Sequence, residues 1–177
     1  MTVTAKDGLY AFGSLETVEV PSGGPGLAND AVAKAPVGIL YRHQGAIYRY
    51  VKVDASDVAT AAGAVGYWLT AGLDPANGVF KVTADISDAI ASGVNMVAGV
   101  FGAVITDQYY TWIQVGGVVT ALTAASTVAG DMVCYGTDST FGRMAAGSQV
   151  NVNYGVALGA RNGTTGTNSV LLQNLAW

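Results

Sequence analysis

The sequence predicts an all-β chain, and three observations carry that expectation. Gly reaches 24 of 177 residues, nine Tyr and many Val and Thr accompany it, and only 11% of residues are charged. An average soluble domain carries about 25% charge. Val, Thr and Tyr suit a pleated, half-buried strand, and Gly suits tight turns. Helices draw on Leu, Glu and Lys instead. Finally, short apolar stretches recur between turn signals at the spacing of a barrel or sandwich.

Residues 1–35 read as an extended arm and residues 36–177 as the β-rich domain. In the arm, Pro21-Ser22-Gly23-Gly24-Pro25-Gly26 continues neither strand nor helix, and the small residues after it lack a firm period. Arms of this kind gain order by lying on a partner.

From Pro36 the strand signals become regular. Stretches 37–41 and 46–53 flank Arg42-His43-Gln44-Gly45, a hairpin signature. In its second strand Ile47, Arg49, Val51 and Val53 share one face, while Tyr48, Tyr50 and Lys52 share the other. Two tyrosines and a lysine stem make an amphipathic surface suited to contact. Stretch 54–63 reads as a loop or helical turn. A strand is expected over 64–70, a turn at Asp74-Pro75-Ala76-Asn77-Gly78, and a strand over 79–83. A helical turn capped by Ser87 fits 85–92. Strands are expected over 96–104, 111–115, 118–122, 132–135, 154–160 and 169–175, with Gly116-Gly117 as a two-residue hairpin turn and 162–168 as a polar loop. In Tyr109-Tyr110-Thr111-Trp112-Ile113-Gln114-Val115, the set Thr111, Ile113 and Val115 is the expected core face. That leaves Tyr110 and Trp112 for an interface or a ligand.

The chemistry-bearing residues are few. A catalytic triad would have to use His43, the single histidine, and it falls in a turn with no nucleophile near it in sequence. His43 and Cys134 do not supply the ligand set of a zinc site. Asp54 with Asp57, and Asp85 with Asp88, have a spacing that could share calcium, but each stands where Asp ends a strand or begins a helical turn. Cys134 lies in an apolar strand and reads as a small buried hydrophobe. No catalytic residue, cofactor or metal is therefore expected, and the chain is expected not to be an enzyme.

The net charge of −4, from 8 basic and 12 acidic residues, opposes nucleic-acid binding, which needs clustered cations. Arg42, Arg49 and Lys52 dress one hairpin instead. No apolar run approaches the length of about 20 residues that spans a membrane, and no basic-then-apolar leader opens the chain. Synthesis in a cytoplasm is the expectation. Sparse charge suits a subunit whose faces are covered by neighbours, since burying an unpaired charge costs far more than burying a hydroxyl.

Several stretches resemble capsid decoration, or cement, proteins of tailed bacteriophages. They are Gly45-Ala46-Ile47-Tyr48-Arg49-Tyr50-Val51-Lys52 with Ala61-Ala62-Gly63-Ala64-Val65, then Gly99-Val100-Phe101-Gly102-Ala103-Val104 leading to Tyr110-Thr111-Trp112-Ile113-Gln114-Val115-Gly116-Gly117, and Ala129-Gly130-Asp131-Met132-Val133 with Tyr154-Gly155-Val156-Ala157-Leu158-Gly159. The resemblance spans residues 36–177 and consists of turn and strand grammar. It implies a β-barrel or β-tulip-like domain, a homotrimer, the major capsid protein as partner and a place on the virion surface. Tyr48, Tyr50, Lys52, Tyr110 and Trp112 are the candidate interface. A head-fibre or adhesin module binding host carbohydrate through Tyr110 and Trp112 is the alternative.

Overall fold

The computed structural model describes residues 2–3, 18–19, 28–55, 58–74, 79–91, 96–144, 153–160 and 164–173. Its elements are β1 (Thr2–Val3), β2 (Val18–Glu19), β3 (Leu40–His43), β4 (Ala46–Asp54), β5 (Val65–Asp74), β6 (Val79–Thr83), α1 (Ile86–Ala91), β7 (Val97–Phe101), β8 (Tyr110–Thr123), β9 (Met132–Tyr135), β10 (Phe141–Arg143), β11 (Gly155–Ala157) and β12 (Gly166–Leu172). Among the described residues the fold is all-β apart from α1.

Among the described residues β1 and β2 pair only with each other, and the other ten strands form one sheet. That sheet closes on itself twice. β8 pairs with β4 and β7, and β7–β5–β6–β4 completes a first ring of five strands, with β3 appended to β4. β8 also pairs with β12, and β12–β11–β9–β10 returns to β8 through the single bridge Phe141↔Thr123. Closure removes nearly all free strand edges. Two small barrels thus share one 14-residue strand.

The change of barrel happens at Gly116-Gly117. The sequence reading made this pair a hairpin turn, but it lies inside continuous β8. Ile47 of β4 pairs with Gly116, and Leu172 of β12 pairs with Gly117. Gly117 has φ +85°, and a Cβ there would lie 2.7 Å from the Gly45 carbonyl oxygen. Both facts call for glycine. The bend lets β8 leave the first ring and enter the second.

The hairpin of β3 and β4 forms as expected, with a shorter turn. Gln44 and Gly45 have φ 47° and 80°, the left-handed pair that matches strand twist in a two-residue connection. β6 and β9 fall on their expected bounds. β5 runs on to Asp74, β12 begins at Gly166 within the expected polar loop, and β10 was not anticipated. The turn expected over 74–78 lies largely outside the described residues. Asp85, not Ser87, caps α1: its Oδ1 accepts from Ser87 N at 2.7 Å and from Ser87 Oγ at 2.6 Å. Those bonds hold the Asp85 carboxyl below its ordinary range.

One continuous core fills both barrels, from Val51, Val53, Tyr67, Phe101, Ile113 and Val115 to Val133, Phe141, Val170 and Leu172. Tyr67 ties them together, donating its buried hydroxyl to the Thr140 carbonyl at 3.0 Å. Cys134 is buried as expected, and burial raises its thiol pKa.

Candidate interaction surfaces

The pairing of β4 with β8 gathers all five sequence-derived interface candidates. Tyr50 stands opposite Trp112, Lys52 opposite Tyr110, and Tyr48 opposite Gln114. The Tyr50 and Trp112 ring centroids are 5.0 Å apart, Tyr50 stacks on Tyr110 at 6.1 Å, and Lys52 Nζ sits 5.9 Å from the Tyr110 ring. Tyr41 of β3 adds a fourth aromatic, 5.8 Å from Trp112.

This face is covered by the chain itself. Tyr50 and Trp112 are buried with Tyr41 and Ala28, and Ala35, Val37 and Ile39 pack on them. Residues 28–39 therefore form a strap over the first barrel, and part of the expected arm belongs to it. Tyr50 and Trp112 are corrected from contact residues to a second, smaller core. Tyr48, Lys52 and Tyr110 keep partial exposure. Alternation along β8 correctly separated Thr111, Ile113 and Val115 from Tyr110 and Trp112, but it could not show that both faces are covered.

Asp30 anchors the strap. Its backbone exchanges two hydrogen bonds with Tyr110, of 3.0 and 2.9 Å. Its buried carboxylate accepts from the Tyr50 hydroxyl at 2.9 Å and pairs with Lys34 Nζ at 2.9 Å. The Tyr50 hydroxyl in turn accepts from Lys34 N. Burial pushes the Tyr50 phenol far above its ordinary pKa, and the adjacent Asp30 charge adds to that. Asn29 and Thr106 bond reciprocally at 3.0 Å each, tying the strap to the loop before β8.

The other ionisable residues serve the fold. Arg49 faces inward, contrary to a role dressing the hairpin surface, with its guanidinium 5.6 Å from the Trp68 ring and 5.5 Å from the Phe80 ring; burial lowers its pKa. Asp54 pairs with Lys81, Asp131 with Arg143, and Asp107 accepts from Ala55 N. Asp54 and Asp85 are thus each engaged in structural bonds, while Asp57 lies outside the described residues. His43 ends β3, its ring 6.0 Å from that of Tyr41. Among the described residues no three His, Cys, Asp or Glu side chains converge as metal ligands.

The remaining surface carries a feature that the sequence reading missed. In the second barrel Met132 pairs with Val156, Val156 with Leu171, and Leu171 with Val118. These four side chains form a straight row across β9, β11, β12 and β8. Met132, Leu171 and Val118 are 50%, 44% and 58% exposed. Leu158, 48% exposed, flanks the row two residues beyond Val156, its N–H bonding the Ser169 carbonyl of β12. Beside it stand the exposed pair Ser169 and Thr120. No charged residue occupies these positions. Two further apolar side chains are exposed on the first barrel, Val32 of the strap at 75% and Val104 of the loop before β8 at 66%. Alternation identifies outward residues one strand at a time. Only the register across four strands aligns them.

No protein-family model matches the chain, and no curated protein does. Among solved structures, the head fiber gp8.5 N base of bacteriophage phi29 is similar in fold, with 9% identity and a TM-score of 0.49, over 73% of this chain and 95% of that one.

Proposed function

We propose that this chain is a structural virion protein that binds the outer surface of an assembled phage capsid and stabilises contacts between major capsid subunits. The observation that carries the reading is the apolar row exposed on the second barrel, with the exposed Val32 and Val104 on the first. A subunit that joins neighbours needs at least two faces to bury, and isolated monomers rarely leave extended apolar patches open. The phage context rests on the resemblance of residues 36–177 to capsid decoration proteins.

The chemistry of the rest of the surface fits the same use. With 11% charge and most described ionisable groups engaged in caps, ion pairs or the strap, few charges need desolvation when a face is covered. Binding the assembled shell and not dissociated subunits stabilises the shell by mass action, and repetition over a symmetric lattice multiplies modest contacts. A homotrimer on the shell, as the resemblance implies, belongs to this reading.

The test is decoration of heads that lack the protein. Purified chain is mixed with such heads and sedimented, and the heads are then challenged with heat or denaturant. Saturable co-sedimentation and a raised disruption temperature are expected, with Val32→Glu and Val104→Glu weakening binding at least tenfold. Absence of saturable binding would overturn the proposal.

A further inference from the structure

We infer that the cleft where the two barrels meet binds a neutral saccharide ring, and that the isolated chain suffices for this. The inference goes beyond the structural-protein reading above and does not depend on it. The cleft is also distinct from the Tyr110–Trp112 face, whose centre the strap covers.

A cavity of about 280 Å3 opens beside the point where β8 crosses from the first barrel to the second. Tyr48, Gln114 and Val100 stand in register across β4, β8 and β7 and line it from the first barrel. Thr120 and Thr167, diagonal neighbours on β8 and β12, line it from the second. Gln114 is only 8% exposed, and its Nε2 donates to the Gly116 carbonyl at 3.1 Å and to the Val118 carbonyl at 2.9 Å. Both amide protons are thus committed to the β8 bend, which fixes the orientation of the side chain. Among the described residues nothing donates to its Oε1. A nearly buried acceptor held in place without a donor is a recognition group for an O–H or N–H. The main chain adds a donor. Leu122 N–H bonds the Gly63 carbonyl at 2.7 Å, and Ser169, which pairs with Thr120, gives its carbonyl to Leu158 N. Thr120 therefore turns its N–H away from β12 and toward the Gly63 side of the cleft, where it has no partner among the described residues.

Chemistry selects the ligand. None of the lining side chains is charged, so an ion would lose its hydration there without gaining a counter-charge. An extended peptide would add to the open edge of β8 through main-chain bonds at alternate residues. The edge groups on either side of Thr120 are taken, the Val118 carbonyl by Gln114 and the Leu122 N–H by Gly63, so a strand has no run of free groups to follow. What fits is a compact ring with hydroxyls on its rim and C–H groups on its face. Its hydroxyls can donate to Gln114 Oε1 and accept from Thr120 N–H, and the Thr120 and Thr167 hydroxyls adapt to either role. The half-buried Tyr48 ring offers an apolar face to the C–H groups. Ligand cavities usually run from about 300 to 1,000 Å3; this one sits at the small end, which suits a single ring.

Saturation-transfer NMR on the full chain, titrated with the methyl glycosides of glucose, galactose, mannose and N-acetylglucosamine, tests this directly. At least one is expected to bind saturably, with a Kd of about 1 mM, the strength of a few hydrogen bonds and one ring contact. Gln114→Met, close in shape but without the acceptor, and Tyr48→Ala should each weaken binding at least fivefold. Thr167→Val, at an exposed position, should weaken it at least twofold and guards against a Gln114 variant that fails to fold. Val104→Glu, outside the cleft, should bind like the wild type. No saturable binding of any glycoside would overturn the inference, and so would binding that none of the cleft variants weakens. A blocked peptide of alternating alanine and threonine is titrated in parallel. Saturable binding of that peptide and of no glycoside, lost in Gln114→Met, would assign the cleft to a protein segment and end the inference. The functional proposal is tested on heads and stands or falls separately.

Discussion

At the scale of single residues, the buried tyrosines show how side chains in strands are committed. Tyr50 and Tyr67 read from sequence as ordinary strand tyrosines, yet one clasps Asp30 and the other spans the two barrels. Burial raises both phenol pKa values above the ordinary 10.0. The folded state therefore holds the neutral phenol more tightly than the unfolded chain does. The resulting stability is fully present below pH about 10 and is lost as pH rises past the unfolded value. Phenolate absorbance should then show two classes of tyrosine, the second ionising only with alkaline unfolding, and Tyr67→Phe should shrink the second class. Tyr50→Phe removes a hydrogen bond to a charged carboxylate, and denaturant unfolding should register a loss of about 1.5–3 kcal/mol. Nothing in the local sequence announces these partners, because Asp30 is 20 residues from Tyr50 and Thr140 is 73 from Tyr67.

Elements were legible where local chemistry decides them. Val79-Phe80-Lys81-Val82-Thr83 and Met132-Val133-Cys134-Tyr135 are strands because their propensity and their bounding turns agree. The β3–β4 hairpin follows from Gln44-Gly45. The Gly116-Gly117 pair was misread because a positive-φ glycine serves a hairpin turn and a mid-strand bend equally well, and only Gly45 and Ala46 pressing on Gly117 tell them apart. β10 escaped notice since Phe141-Gly142-Arg143 is too short to show a period. Gly117→Val should lose several kcal/mol, through strain at φ +85° and collision with the β3–β4 turn, seen as a large fall in melting temperature. Asp85→Ala should cost about 1 kcal/mol as a lost helix cap. Since its carboxyl pKa is depressed in the fold, that contribution is present above the unfolded pKa and fades as pH falls through the folded one. The strap gives a sharper contrast. Deleting residues 1–27 leaves every pairing of the ten-stranded sheet in place, so thermal unfolding should change little. Deleting residues 1–39 uncovers Tyr50 and Trp112 and should cost about 3–6 kcal/mol, from two large side chains at roughly 1.5–3 kcal/mol each.

For the whole molecule, the all-β class was readable in composition, whereas the location of the outward apolar residues was not. Alternation placed Tyr48, Tyr50, Lys52, Tyr110 and Trp112 on common faces, and strand pairing does assemble them into one ladder. The strap then converts the ladder's centre into core. The exposed row of the second barrel comes from pairings between strands far apart in sequence, such as Leu171 with Val118, which no local pattern encodes. On the proposed reading, a chain whose tyrosines and carboxylates hold its own barrels together, and whose outward apolar residues align across strands, is covered by its neighbours in the shell. The most direct test is quantitative co-sedimentation of the full chain with phage heads that lack it. Saturable binding at a fixed number of copies per head, reduced at least tenfold by Val32→Glu and Val104→Glu, is the predicted result. A chain that stays in the supernatant at every concentration would contradict it.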